Sequence, residues 1–273
     1  MTDILTEIVA RKRREVARRR RHARWLPPPP RRSDAPTGRA DPRRRTIEAL
    51  RRPEGALPRV IAEVKFRSPS AGQIRVHPPG EGPRVAAAYE AAGAAAVSVL
   101  ADGPGFGGSV LEVRRVAAVV DLPVLFKEFV VDPVQVDFAR AAGASLVLLL
   151  VRCLSQPELT GLVAEVRAQG MEPVVEAANA EELSRALATQ AAIVGVNARD
   201  LRSFEVDLDR AARCLGAVPA GRVAVFMSGV RSTEIYARIA ETRADAVLIG
   251  EGLMQHPDPG LALARLTSGA RRR

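Results

Sequence analysis

The sequence predicts an α/β protein, a single (β/α)8 TIM barrel with an N-terminal helical extension. Three observations carry that prediction. Eight short apolar, β-branched runs recur from residue 60 onward, and helix-like stretches rich in Ala, Leu, Glu and Arg lie between them. Strands that alternate with helices must run parallel, because each is reached through a crossover. Eight such units in about 210 residues suit a closed barrel better than an open doubly wound sheet. The chain of 273 residues is 47% hydrophobic but only 4% aromatic, so its core has to be made of Ala, Val, Leu and Ile.

Taken in order, residues 1–24 read as a helix, with Ile4, Leu5, Ile8, Val9 and Val16 at helical spacing before a run of arginines. Pro27 to Pro30 end it, and residues 31–45 read as a Pro/Arg-rich connector without periodicity. Short helical material at Thr46–Leu50 leads into the body. The chain thus divides into a basic extension, 1–59, and a barrel, 60–273. Strands are expected at Val60–Val64, Ala96–Leu100, Val124–Phe126, Leu146–Val151, Pro173–Val175, Ile193–Val196, Val223–Phe226 and Ala246–Ile249. Asp132-Pro133, Ser155 with Glu158, and Asn179 with Glu182 supply helix starts between them.

Charge is distributed unevenly. Residues 1–60 hold 18 Lys and Arg against 7 Asp and Glu, a balance of +11, while the remainder holds 23 against 24. The pI of 10.9 therefore belongs to the extension and does not by itself imply nucleic-acid binding. One aromatic there, Trp25, gives little scope for base stacking, and the arginines of the first helix read as its solvated face. No apolar stretch approaches the 18 or so residues a bilayer requires, and the first residues alternate apolar with charged. Two cysteines, Cys153 and Cys214, make neither a disulfide framework nor a metal cluster and read as buried filler. His22, His77 and His256 lack metal-ligand spacing and read as surface residues. A cytoplasmic protein without a membrane partner is expected, as a monomer or alternatively a dimer.

Of 41 basic residues only three are lysines: Lys12, Lys65 and Lys127. Codon bias in a GC-rich genome explains the excess of arginine and sharpens the exceptions. Lysine can give up a proton once its surroundings tune it, and guanidinium in practice cannot. In a barrel the chemistry sits where strands end. Glu63 and Lys65 follow the first strand, and Lys127 and Glu128 the third. Glu176 ends the fifth, Asn197 with Arg199 the sixth, Met227-Ser228-Gly229 the seventh and Gly250-Glu251-Gly252 the eighth. Converging on one mouth, these form two lysine–carboxylate sets. Gly229 and Gly250 would let backbone N–H groups approach an anion at the start of the next helices, which implies a phosphorylated small-molecule substrate. Gly103–Gly108 lacks the acidic partner of a dinucleotide fingerprint and reads as a mobile loop over the mouth.

Several of these stretches resemble the indole-3-glycerol-phosphate synthase family. They are Ile61–Ser70, Ser98–Leu100 with Phe106–Ser109, Leu125–Phe129, Glu172–Glu176, Val196–Leu201 and Leu248–Met254, all in the family's order. The first helix also resembles that family's extra helix over the barrel mouth. The resemblance implies a lyase of tryptophan biosynthesis that needs neither cofactor nor metal. A carboxyphenylamino-deoxyribulose 5-phosphate would close its ring, lose CO2 and then water. By the same resemblance Lys127 would be the general acid and Glu176 a general base. Glu63 and Lys65 would orient the substrate and serve dehydration, and Asn197 would hold the sugar hydroxyls. Ser228, Gly229, Gly250 and Glu251 would line the phosphate site, with Ser68, Phe106, Phe129, Arg199 and Met227 as further substrate contacts.

Two positions depart from the family pattern. Met227 stands where the family usually has glutamate, and Ala71 where many members have lysine. A specialised paralogue on a modified substrate, or a weakened copy, fits those changes. Two further readings stay open: another phosphosugar barrel, an isomerase or Schiff-base aldolase using Lys65 or Lys127, or a degenerate barrel whose basic arm binds a polyanion.

Overall fold

The computed structural model describes residues 4–22, 41–200 and 204–270. Eight parallel strands close on themselves. They are β1 (Arg59–Val64), β2 (Ala96–Leu100), β3 (Val124–Lys127), β4 (Leu146–Leu150), β5 (Glu172–Ala177), β6 (Ile193–Asn197), β7 (Val223–Met227) and β8 (Ala246–Ile249). Each pairs with its neighbours in sequence, and β8 returns to β1 with Arg59 opposite Ala246. Every strand residue except Arg59 and Lys127 is buried, as expected where one face lines the barrel interior and the other meets helices. Two segments, Arg67–Ser68 and Gly72–Gln73, form a small antiparallel ribbon in the loop after β1.

The helices are α1 (Ile4–His22), α2 (Pro42–Leu50), α3 (Glu81–Ala91), α4 (Val110–Ala117), α5 (Pro133–Ala141), α6 (Gln156–Ala168), α7 (Ala180–Leu187), α8 (Leu208–Gly216), α9 (Thr233–Ala240) and α10 (Pro259–Ala270). The starts read from the sequence form as caps. The Asp132 side chain accepts from Val134 N–H, Asn179 accepts from Glu182 N–H, and Ser155 and Glu158 make a reciprocal capping box.

Several expectations are corrected. Residues 42–45, read as connector, are the first turn of α2, because the Asp41 side chain accepts from Arg43 N–H and Pro42 suits a first helical position. The run Pro27 to Pro30 and Trp25 lie outside the described residues. β5 begins at Glu172, one residue earlier than its apolar run. Gly103–Phe106 is a one-turn helix, capped by Asp102 and held by Arg67 on the Gly103 and Pro104 carbonyls. His77 is exposed, as read, and it also stacks on Phe66 with ring centroids 3.7 Å apart and meets Glu112 at 3.3 Å. Cys153 is buried, its thiol pushed up to about 12 chiefly by that burial, whereas Cys214 is only half-buried.

α1 lies against the barrel, with Leu5, Ile8 and Val16 buried and ion pairs from Arg11, Lys12 and Arg13 to Asp102, Glu128 and Glu158. Lys12 is thus taken out of solvent and Arg11 partly so, whereas Arg13, like Arg14 and Arg18, stays exposed as a solvated face should. No helix among the described residues is long and apolar enough to cross a membrane.

α2 meets the opposite end of the barrel, where Glu172 begins β5. Glu172 is wholly buried, and its Oε1 accepts from Ala192 N–H while Oε2 accepts from Arg43 Nε at 2.9 Å. Removing one partner of a buried ion pair leaves an uncompensated charge, at a cost of about 3 kcal/mol. Arg43→Met is therefore expected to lose about that much stability in urea titration, and Arg43→Met with Glu172→Gln to recover part of it.

Candidate active site

The C-terminal rim of the barrel opens into one cavity. Glu63, Lys65, Ser68, Phe106, Lys127, Phe129, Glu176, Asn197, Arg199, Met227, Ser228, Gly229, Gly250 and Glu251, all singled out in the sequence, line it together. Strand geometry explains the convergence. Lys127, Asn197 and Met227 are the last residues of β3, β6 and β7, while Glu63 and Glu176 sit one residue before the ends of β1 and β5.

The lysines and acids form two linked pairs. Lys65 Nζ lies 3.1 Å from Glu63 Oε1, and the Ser98 hydroxyl donates to Glu63 Oε2 at 3.1 Å. Burial alone would raise the Glu63 carboxyl, but Lys65 and Lys127 outweigh it and hold the group below its usual value. Lys127 Nζ stands 4.0 Å from Glu176 Oε2. Asn197 Nδ2 donates to Glu176 Oε1 at 2.9 Å, fixing that carboxylate, while Oε2 is buried without a hydrogen-bond partner in the protein. A proton acceptor and an ammonium thus face one another with little more than a hydrogen bond's distance between them.

At the rim of β7 and β8 the backbone turns sharply. Ser228 adopts φ 70° and Gly229 φ 86°, two successive left-handed residues. A side chain on Gly252 would meet the Val230 carbonyl at 2.9 Å, so the two loops pack directly on one another. Gly250 precedes the single turn Glu251–Met254, but α9 starts only at Thr233, capped by Ser232. Gly229 is therefore in a loop, not at a helix start as its spacing implied. Glu251 draws two guanidinium groups to this side, Arg231 at 3.0 Å and Arg199 at 3.8 Å.

Met227, buried, packs its thioether over β6. A Cβ built on Gly195 would stand 2.4 Å from Met227 Sδ, so glycine there is what accommodates the methionine. Across the cavity the rings of Phe106 and Phe129 lie 5.9 Å apart, tilted by 43°.

The sequence reading missed three charged contributors to this cavity: Asp102, Arg231 and, as a site residue, Glu128. The signal available for Glu128 was the rarity of lysine, because Lys12 is even more deeply buried than the two body lysines and reaches it at 3.2 Å. Burial pushes the Glu128 carboxyl up to about 7, with Lys12 opposing and Asp102 adding to the shift. Among the described residues no group of three or more His, Cys, Asp or Glu side chains could hold a metal ion.

Fold and rim define a (β/α)8-barrel enzyme with lysine–carboxylate pairs set against the two closely packed loops after β7 and β8. The profile of a known family, indole-3-glycerol phosphate synthase, matches residues 5–266, and the chain belongs to that family of lyases. It is 46% identical over 224 residues to the indole-3-glycerol phosphate synthase of Beutenbergia cavernae, covering 81% of each chain. It is 41% identical over 268 residues to that of Polaromonas, covering 97% of this chain and 98% of the other. Among solved structures, KGPDC from Streptococcus mutans superposes with TM-score 0.60 at 11% identity, over 79% of this chain and 98% of that one. Thiamine phosphate pyrophosphorylase from Pyrococcus furiosus gives TM-score 0.57 at 16% identity, over 84% and 98%. At those identities the two structures speak for the fold alone.

Gly195→Ala tests how closely Met227 is fitted. The added methyl should displace the thioether into the cavity, cost about 1–3 kcal/mol of stability through overpacking, and raise KM. Gly195→Ala with Met227→Ala should restore stability in the same denaturation assay.

Proposed function

We propose that the chain closes the indole ring of a carboxyphenylamino-deoxyribulose 5-phosphate, releasing CO2 and water to give indole-3-glycerol phosphate. The observation that carries this reading is the facing pair of Lys127 and the unbonded Oε2 of Glu176 within a cavity that also takes in the backbone of Ser228, Gly229 and Gly250.

In the first step a ring carbon attacks the ketone carbon, and the ketone oxygen takes a proton from Lys127 as the carbon–carbon bond forms. Breaking the bond to the carboxylate expels CO2 and restores the aromatic ring. The new hydroxyl then departs as water, with a proton supplied from the Lys65–Glu63 pair. Glu176 accepts the carbon-bound proton whose loss, with that of the hydroxyl, forms the double bond that makes the second ring aromatic. Asn197 holds Glu176 Oε1 and leaves Oε2 for that transfer. Phe106 and Phe129 offer an aromatic wall for the aromatic end, and Ser228, Gly229 and Gly250, with Arg231 close by, receive the phosphate. Charge that develops on oxygen is thus met by fixed donors inside a largely apolar wall, the arrangement that stabilises transition states most. Incubating the protein with the unsubstituted substrate and following indole absorbance tests the reading. Neither turnover nor binding would overturn it.

Lys127→Arg should retain the fold and phosphate binding but lose about 10²–10⁴ in kcat. Arginine keeps the charge and cannot deliver a proton at neutral pH. An Arg variant with most of its activity would reduce Lys127 to an electrostatic anchor.

Met227 points to a specialised substrate. Where the family usually has a carboxylate, this cavity presents a buried thioether, which suits an apolar substituent and withdraws a negative charge from the two ammonium groups. Met227→Glu should raise kcat/KM on the unsubstituted substrate by more than tenfold, about 1.4 kcal/mol of transition-state stabilisation. It should also move the alkaline limb of the pH profile upward, since a nearby carboxylate favours a charged lysine. The absence of any gain across pH would make Met227 incidental.

A further inference from the structure

The third lysine is the one the proposed reaction leaves unused. Lys12 sits on α1, outside the barrel, yet its side chain is 2% exposed, against 16% for Lys65 and 22% for Lys127. Its single ammonium contacts three carboxylates: Glu15 at 2.9 Å, Asp102 at 3.0 Å and Glu128 at 3.2 Å. Each of the last two governs one phenyl ring of the cavity. Asp102 caps the one-turn helix Gly103–Phe106, its Oδ2 accepting from Gly105 N–H at 2.9 Å, and that turn ends in Phe106. Glu128 accepts from the backbone N–H of Phe129 at 2.8 Å. The two rings in turn meet each other. One ammonium therefore ties together the loops after β2 and β3 at the points where they present their aromatic side chains.

We propose that Lys12 is a positioning residue of the active site: by clamping Asp102 and Glu128 it sets the spacing of Phe106 and Phe129, and so the fit of the aromatic end of the substrate. The proposal rests on the reading that the substrate carries such an aromatic ring. The choice of amino acid supports it. In a chain that uses arginine almost everywhere, a compact ammonium with three donors can serve three carboxylates from one nitrogen, whereas a planar guanidinium spreads its donors over a fixed fork.

Glu128 also gives the clamp a pH dependence. Its carboxyl is pushed up to about 7 by burial, with the Lys12 charge opposing and Asp102 adding to the shift. The charged groups facing it are Lys12 from α1 and Asp102 from the loop after β2; Arg11 and Glu15 stand one contact further out, on Asp102 and Lys12. The ion pair is complete above that pH and is lost as Glu128 takes a proton below it. Stability runs the other way. A carboxyl raised above its unfolded value favours the fold when protonated, and that contribution fades as pH rises through about 7. The clamp at neutral pH is thus maintained against the preference of Glu128 itself, as befits a group that serves the site more than the fold.

The experiment compares wild type with Lys12→Met, Lys12→Arg and Glu128→Gln. It measures kcat and KM for the carboxyphenylamino-deoxyribulose 5-phosphate from about pH 6 to 8, and the competitive Ki of glycerol 3-phosphate, a ligand with the phosphate and no ring. Lys12→Met should raise KM about tenfold or more with a smaller fall in kcat, the signature of lost binding, and leave the glycerol 3-phosphate Ki within about twofold. Lys12→Arg keeps the charge and the fold and should not restore the wild-type KM. In wild type KM should climb as pH falls below about 7, and Glu128→Gln should give a raised KM without that climb, at no loss of thermal stability at about pH 8. Equal weakening of glycerol 3-phosphate in Lys12→Met, full recovery in Lys12→Arg, or an unchanged KM in Glu128→Gln would each overturn the proposal. If wild type neither bound nor converted the aromatic substrate, the functional reading would fall and the proposal with it. A working wild type beside an unaffected Lys12→Met would overturn the proposal alone.

Discussion

A carboxylate held out of water at the end of a strand must be neutralised by something close by, or the strand cannot end there. Much of the rim of this barrel follows from that requirement. Glu63 has Lys65, Glu176 has Asn197 with Lys127 beyond, and Asp102 and Glu128 share Lys12. Because the strands are parallel and closed, all these groups sit at one end of the barrel, where their fields overlap. The shared cations are what allow several acids to stand around one cavity. They also leave Glu176 Oε2 without a donor of its own. A buried oxygen in that condition is costly to keep and reactive for the same reason.

Much of this was legible in the sequence because parallel barrels make position along a strand equivalent to position in space. Lys127, Asn197 and Met227 could be placed from the ends of apolar runs alone. Contacts that join distant parts of the chain carried no such mark. Lys12 and Glu128 are 116 residues apart, and no periodicity or spacing connects them. The start of α2 was hidden because Pro42 stands in a run of arginines and prolines that reads as linker, although Asp41-Pro42 is itself a capping signal. Glu172 was lost from β5 for a related reason: a charged residue ends an apolar run on paper, but in the fold it continues the strand once Arg43 meets it. Glycine content concealed the local order at Gly103–Phe106, where the side chains of Asp102 and Arg67 organise a single helical turn.

The departure at Met227 shows how a wall of the cavity can change without disturbing the barrel. A thioether is apolar, flexible and tolerant of irregular space, and the missing side chain of Gly195 leaves a hollow for it. Met227 makes none of the lysine–carboxylate contacts, which run between Lys65 and Glu63 and between Lys127 and Glu176. What alters is the balance of charge over the substrate and the shape of the wall it meets. Both bear on which molecule is preferred and neither on whether the barrel closes.

The link between α1, the loops after β2 and β3 and the first turn of α6 also orders events during synthesis. α1 leaves the ribosome ahead of the barrel, yet Arg13 meets Glu158, 145 residues later in the chain. At ordinary translation rates the helix waits on the order of ten seconds for its docking surface. Throughout that interval it is a short, strongly basic amphipathic segment with Leu5, Ile8 and Val16 uncovered. The many arginines make that waiting segment strongly charged, a condition that favours hydration and repels like segments until the barrel presents the acids that receive it.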